Sequence, residues 1–225
     1  MRITSVVLAA GRGRRMELGE NKAFASVGGV PLLALTVETF LDHPRVSEIV
    51  VVVGREEESR VAELFPPSSK PVKIVPGGKE RRDSALAGVE AASAEIVLIH
   101  DGARPFVSAA LIDRIIDAVS ESGACVPVLP VADTLRTIDR DGFLGSVTLD
   151  RSTLGRMQTP QGFRKDLIVR ALSSCSAGVT DDAAAVLALG EPVRTVPGET
   201  INLKITHPED LELASVIAAG LRHAP

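Results

Sequence analysis

From Val6 to Met16 the chain reads Val-Val-Leu-Ala-Ala-Gly-Arg-Gly-Arg-Arg-Met, and Lys22 follows six residues later. An apolar run passes straight into a loop that carries two glycines, three guanidinium groups and then an ammonium. Gly11 and Gly13 free the backbone to turn with positive φ and to aim amide hydrogens at a ligand, while the cations gather around the same point. That is chemistry for a polyphosphate. Residues 1–24 hold five basic and two acidic groups, a net of +3, in a chain whose net charge is −4. The basic loop is therefore a local device, suited to a small anion and not to a nucleic-acid surface. A dinucleotide fingerprint would need a third glycine where Met16 stands, and a Walker A loop would need Gly-Lys-Ser/Thr, so neither fits. Taken alone, the loop reads equally well as an ordinary strand-to-helix turn with solvated arginines.

Other clusters bear on the choice. His100-Asp101-Gly102-Ala103-Arg104-Pro105 follows a strand-like run, and a carboxylate at a strand end beside a phosphate loop suits a divalent cation. A turn aspartate paired with Arg104 is the plainer alternative. Gly77-Gly78-Lys79-Glu80-Arg81-Arg82-Asp83-Ser84 opens a helix with amides and a serine hydroxyl that could meet a base edge, or it is a capped surface helix. Ile201 to Ile205 sets Lys204 in an apolar strand, where its charge needs an anionic partner or an edge position in solvent. Thr180 reads first as a cap for the helix after it. Met157-Gln158-Thr159-Pro160-Gln161 is a polar island. Histidines at 43, 100, 207 and 223 lack ligand spacing for zinc, and no Gly-x-Ser-x-Gly is present.

The elements that must position these groups follow an α/β rhythm. Ile3 to Ala10, Ile49 to Gly54, Val72 to Val75, Ile96 to His100 and Ala124 to Leu129 are expected to be strands buried on both faces of a mostly parallel sheet. Pro31 to Leu41 is expected to be a helix with proline in its first position, and Ser108 should cap a helix whose apolar face is Leu111, Ile112, Ile115, Ile116 and Val119. Helices are also expected over Arg164 to Ser174, over Asp181 to Leu189 with Gly190 closing it, and after Thr206-His207-Pro208-Glu209. In such sheets ligands sit beyond the carboxyl ends of the strands, where the loops after Ala10 and His100 emerge. The rhythm breaks at Asp133 to Asp150. Thr134 to Ile138 and Phe143 to Leu149, joined through Asp139-Arg140-Asp141-Gly142, read as a β-hairpin that must pack on something, a partner subunit being the natural candidate.

At 225 residues and 45% apolar content the chain can bury one full core. With six Phe and no Trp or Tyr it lacks stacking platforms for single-stranded nucleic acid. Two cysteines fifty residues apart suggest neither a disulfide framework nor a thiolate metal site, which points to the reducing cytoplasm. The opening segment is too short in its apolar run to be a signal peptide, and no stretch approaches the ~20 residues of a membrane span.

Taken in order, Ala9-Ala10-Gly11 to Met16, Lys22, Gly77-Gly78 with Glu80-Arg81 and Ser84, Asp101 to Pro105, Asp133-Thr134, Asp150-Arg151, Gln158 to Gln161, Thr180-Asp181 and Asn202 to Asp210 resemble one family. It is the 2-C-methyl-D-erythritol 4-phosphate cytidylyltransferases of non-mevalonate isoprenoid synthesis, and the resemblance covers nearly the whole chain. It implies a three-layer Rossmann-like nucleotidyltransferase fold over residues 1–225, with a protruding β-hairpin arm over 133–155 that crosses to a second subunit. It implies that CTP and methylerythritol phosphate give CDP-methylerythritol and pyrophosphate with Mg2+, and that neither nucleic acid nor membrane is a partner. By similarity, Arg15 and Lys22 stabilise the charge on the phosphates, and Ala9, Ala10, Gly11 and Gly13 wrap the nucleotide. Gly78 and Ser84 help to recognise cytosine. Arg151 and Lys204 orient the methylerythritol phosphate, with Asp101, Arg104, Thr134 and Thr180 lining its site; Thr134 and Arg151 would serve the partner's site. The chain departs from the commoner family pattern in having Asn21-Lys22-Ala23 for Pro-Lys-Gln, Gly102 for an alanine, and Lys79 where an acidic residue can stand.

Overall fold

β-branched residues on alternate sides of each strand build the centre of the molecule. The structure, a computed structural model, describes residues 2–11, 21–66, 70–175 and 181–222. Its elements are β1 (Ile3–Leu8), β2 (Ser26–Val27), β3 (Val30–Pro31), α1 (Leu32–Asp42), β4 (Val46–Val53), α2 (Glu58–Leu64), β5 (Val72–Pro76), α3 (Arg81–Ala91), β6 (Ile96–Asp101), α4 (Ala109–Ser122), β7 (Ala124–Pro130), β8 (Arg136–Ile138), β9 (Leu144–Thr148), β10 (Gly155–Met157), β11 (Gln161–Arg164), α5 (Lys165–Ser174), α6 (Asp182–Ala188), β12 (Arg194–Pro197) and α7 (Pro208–Arg222).

The main sheet runs β10-β7-β11-β6-β1-β4-β5, with β12 also on β7. Strands β6, β1, β4 and β5 are mutually parallel, and Val6 sits between Val50 and Ile99 in register. Ile3, Val7, Ile49, Val51 and Leu98 face α1, α2 and α4, packing with Phe40, Val61, Leu111 and Ile115. Val6, Val50, Val52, Val97 and Ile99 face the opposite way, against Ala85 and Val89 of α3, Ile168 and Leu172 of α5 and Val186 of α6. Two helical layers thus cover both faces, as the unbroken apolar runs require. Gly88 lets α3 lie directly on the sheet, because a Cβ there would fall 2.4 Å from Val6 Cγ1 and 2.7 Å from Val52 Cγ2. A third cluster seats α7: Ala214 and Ala218 pack with Val27, Leu32, Phe106 and Ile205.

Several expectations are corrected. Pro31 is the residue before α1, extended at ψ 136°, and pairs with Ser26 in a two-residue ladder instead of starting the helix. Its ring fixes φ but not ψ, so the position fits a strand as well as a first turn. The main sheet is mostly parallel, as expected, with an antiparallel part at one end. β10 and β11 run antiparallel down β7 in turn, Gly155 opposite Pro130 and Phe163 opposite Ala124, with the cis Thr159–Pro160 peptide between them. Both strands are too short to show periodicity. Asp181 caps α6, its carboxylate accepting from the Ala184 amide at 2.9 Å, while the cap expected at Thr180 lies outside the described residues. Asp210 supplies the returning carboxylate at the start of α7, accepting from the Thr206 and His207 amides. Ser108 caps α4 as expected, accepting from the Leu111 amide at 3.0 Å. β8 and β9 form a separate two-stranded ladder, shorter than the sequence runs, with Gly142 at φ 89° in the turn.

At the amino-terminal end of the sheet a buried carboxylate joins three strands and a loop. Glu48 Oε2 accepts from Thr4 Oγ1 at 2.8 Å and from the Ser93 amide and hydroxyl at 2.9 Å, and Oε1 pairs with Lys73 Nζ at 2.5 Å. Burial alone pushes the Glu48 carboxyl up, but Lys73 and these donors outweigh it and bring it from 4.5 down to about 2. The folded form therefore binds its proton later than the unfolded chain, so the associated stability is present above about pH 4.5 and is lost as pH falls towards 2. We expect about 3 kcal/mol to disappear across that window, and Glu48→Gln to flatten this part of the acid-unfolding profile. Denaturant unfolding at a series of pH values measures both; parallel profiles for the two proteins would reject the assignment.

Candidate active site

The parallel strands end together, and the turns that follow them enclose a cleft of about 1300 Å3. Ala9, Ala10, Gly11, Lys22, Gly78, Ser84, Asp101 and Lys204 all line it, together with Asn21, Gly77 and Arg81. Residues separated by as many as 195 positions in sequence are thus brought to one wall system. Gly13, Arg15 and Thr180 lie outside the described residues. Thr134 and Arg151 are exposed on the arm and do not line the cleft of their own chain. Arg151 Nη1 donates to the Ala132 carbonyl at the arm's root.

On the loop side, Gly11 does not adopt a positive φ, and a Cβ there would meet open space. The expected left-handed turn is absent at this residue. What the sequence did not signal is the role of Asn21. Its Nδ2 donates to the Ala9 carbonyl at 2.9 Å and to Glu57 Oε2 at 2.8 Å, while its Oδ1 accepts from the Ala23 amide at 3.0 Å. Asn21 has φ −66°, within the range a proline ring would impose, and its side chain adds three bonds. Lys22 follows in a short 3-10 turn, its Nζ donating to the Ile205 carbonyl at 3.1 Å.

The glycine turn before α3 is set by contact. A Cβ on Gly77 would lie 2.5 Å from Ala10 Cβ and 2.8 Å from Ser84 Oγ, so only glycine lets this turn close against the end of β1. Ser84, buried in the first turn of α3, accepts from the Gly78 amide at 3.1 Å and donates to the Glu80 carbonyl at 3.2 Å. Gly77→Ala is expected to raise the Kd for the nucleotide about tenfold or more by displacing Ala10 and Ser84 from the wall. Calorimetric titration with nucleotide checks this; an unchanged Kd would show that the turn tolerates a methyl group.

Asp101 is the electrostatic centre. Its Oδ2 lies 2.6 Å from Lys204 Nζ and 3.9 Å from Arg104 Nε, and its Oδ1 lies 3.4 Å from Arg81 Nη2. Burial opposes ionisation, yet Lys204, Arg81 and Arg104 together outweigh it and hold the carboxyl well below the usual range. The Asp101–Arg104 pair offered as the plainer alternative is present, but Lys204 is the nearer partner. Lys204 itself stands in an irregular segment after a turn at 201–202, not in a strand; its chain neighbour Ile205 donates to the Ala103 carbonyl at 2.9 Å. Arg81, which the sequence reading left without a role, reaches past Asp101 to Asp182, Nη1 to Oδ2 at 2.8 Å. Asp182 is fully enclosed and its carboxyl is pushed up by burial, against the pull of Arg81. Arg104 Nη1 donates to the Asn202 carbonyl at 2.8 Å, which ties the β6 turn to the Lys204 segment.

The cleft gathers the backbone of Ala9 to Gly11 and of Gly77 and Gly78, the Ser84 hydroxyl and the cations Lys22, Arg81 and Lys204 around Asp101, with Glu56, Glu57 and Glu80 also on its lining. The chain is a nucleotidyltransferase. It belongs to the family described as 2-C-methyl-D-erythritol 4-phosphate cytidylyltransferase, whose model matches residues 3–219. It is 43% identical to the protein of that name from Geobacillus thermodenitrificans, over 98% of each chain. Among solved structures it is similar to the cytidylyltransferase from Thermus thermophilus, at 38% identity and a TM-score of 0.82, covering 97% of this chain and all of that one. It is also similar to 4-diphosphocytidyl-2C-methyl-D-erythritol synthase from Anaerococcus prevotii, with a TM-score of 0.84 at 30% identity, over 96% of this chain and 98% of that one.

Proposed function

We propose that this chain joins CTP to 2-C-methyl-D-erythritol 4-phosphate, giving CDP-methylerythritol and pyrophosphate in isoprenoid precursor synthesis. The observation that carries the reading is the placement of Lys22, Asp101 and Lys204 in the same cleft as Gly78 and Ser84. An oxygen of the methylerythritol phosphate attacks the α-phosphorus of CTP in line; the bond to the bridging oxygen breaks and pyrophosphate leaves. No protein nucleophile is needed, so the residues act by holding the reactants and by meeting charge as it develops. Lys22, with Arg15, serves the triphosphate. Ala9, Ala10, Gly11 and Gly13 surround the nucleotide, and the Gly78 and Ser84 turn reads cytosine. Lys204, Arg104, Asp101 and Thr180 hold the second phosphate and its polyol.

Mg2+ fits this donor set. Among the described residues no three His, Cys, Asp or Glu side chains form a metal cluster. A hard ion carried on phosphate oxygens needs only one or two carboxylates from the protein, and Asp101 offers one in the cleft. When bound, the ion neutralises charge on the triphosphate.

We further place residues 1–225 in one nucleotidyltransferase domain acting in the cytoplasm, with 133–155 as an arm that completes the site of a second copy. The arm supports this by its surface: Phe143 is 71% and Leu144 70% exposed, with Ile138 and Val147 also bare. Such side chains on a two-stranded ladder call for a covering partner. A mixing experiment tests the arrangement. Arg151→Ala and Lys204→Ala proteins are each expected to be nearly inactive, but reassorted together they should regain roughly a quarter of wild-type turnover, because one site in each mixed dimer is intact. No recovery after verified reassortment would place Arg151 in the site of its own chain or outside any site.

A further inference from the structure

Behind the cleft wall lies a set of bonds whose directions can all be assigned. His100 precedes Asp101 at the end of β6 and is fully buried, its ring edge-on to Phe40 with centroids 5.1 Å apart. Its Nε2 is 2.9 Å from the Arg104 carbonyl and its Nδ1 is 3.0 Å from Thr159 Oγ1. A carbonyl can only accept, so Nε2 carries the proton and Nδ1 is left as an acceptor. The Thr159 hydroxyl therefore donates to Nδ1, and its oxygen is directed to the Asp101 amide, which donates to it at 3.0 Å. The ring is fully buried against Phe40 and its two hydrogen-bond partners are a carbonyl and a hydroxyl, which favours the neutral form. The Thr159 carbonyl in turn accepts from Asn202 Nδ2 at 2.8 Å, and Gln158 Nε2 donates to the carbonyls of Glu199 at 2.8 Å and Asn202 at 3.1 Å.

We infer that His100 is a positioning residue for the polyol-phosphate side of the site: through Thr159 it sets the backbone that aims Asp101 and Arg104 and joins that backbone to the 199–205 segment carrying Lys204. This deepens the function proposed above and rests on it. The ring touches neither the cleft nor the nucleotide wall, so its influence is selective. Ala9, Gly11, Gly78 and Ser84 hang from other turns. A neutral imidazole is needed because it donates at one nitrogen and accepts at the other within one rigid plane; an aliphatic residue would take the ring's donor from the Arg104 carbonyl and its acceptor from the Thr159 O–H.

The test compares wild type with His100→Gln, Thr159→Val and the double variant, using turnover with CTP and methylerythritol phosphate and calorimetric Kd values for CTP. Each single variant is expected to raise KM for methylerythritol phosphate about tenfold or more while the Kd for CTP stays within about twofold. The double variant should be no worse than Thr159→Val alone within about twofold, because both changes cut one chain of bonds. Effects that multiply, or CTP affinity falling in step, would overturn the relay. If His100→Gln fails to fold, Thr159→Ser decides: it keeps the hydroxyl and must recover at least fivefold of the KM lost in Thr159→Val, and no recovery overturns the inference. Absence of methylerythritol phosphate turnover in the wild type would instead overturn the functional reading, so the two failures are distinguishable.

Discussion

Lys22→Ala is expected to lower kcat by about 10²- to 10³-fold while changing the Kd for CTP far less. Lys22 reaches the cleft from a short turn clamped by Asn21 to the end of β1, and its ammonium is drawn across to the Ile205 carbonyl, one residue from Lys204. Two cations delivered from opposite ends of the chain thus converge in one cleft, where the proposed reaction brings the triphosphate and the attacking phosphate together. In that proposal ground-state binding is shared among the backbone of Ala9 to Gly11, the Gly78 turn and Ser84, so one ammonium contributes little to it. The negative charge that grows as the α-phosphorus changes partners has fewer donors to share it. Steady-state pyrophosphate release and CTP calorimetry on the same preparations separate the two effects. Loss of CTP affinity matching the loss of turnover would make Lys22 a binding residue only.

Asp101→Asn is expected to be comparably damaging, by about 10²-fold or more in kcat, for a different reason. The substitution keeps size and shape but removes the charge that Lys204 approaches to 2.6 Å and Arg81 to 3.4 Å. Lys204 is then no longer held by a carboxylate, Arg81 is left with Asp182, and the group proposed to meet Mg2+ is weakened. Because neighbouring cations keep Asp101 ionised well below neutral pH, its protonation should leave no inflection in wild-type turnover between about pH 5 and 8. The variant should also need a higher Mg2+ concentration for half-maximal rate, which a metal titration of turnover reads directly. Unchanged turnover at all Mg2+ concentrations would remove Asp101 from the site.

The alternating layers were legible because buried parallel strands repeat one pattern: β1, β4, β5, β6 and β7 lie where their apolar runs predict, within a few residues at each end. The loop chemistry was legible in kind, since Lys22, Gly78, Ser84, Asp101 and Lys204 do meet in one cleft. What remained hidden depends on distance in sequence. Nothing local announces that Arg81 spans Asp101 and Asp182, that Asn21 bonds to Ala9 and Glu57, or that Thr159 and His100 share a proton-directed bond. These partners are 12 to 101 positions apart and carry no periodic signal. The alternation of Ile201, Leu203 and Ile205 with polar residues predicts a strand around Lys204, yet the segment is irregular and fastened by side chains. A regular pattern can reflect packing on α7 and the core without a ladder.

The pairing of CTP with methylerythritol phosphate is read by a single panel: pyrophosphate release with Mg2+ from each of the four nucleoside triphosphates, with methylerythritol phosphate or ribitol phosphate as acceptor. CTP with methylerythritol phosphate should exceed every other combination by a wide margin. Release with ribitol phosphate but not with methylerythritol phosphate would overturn the assignment.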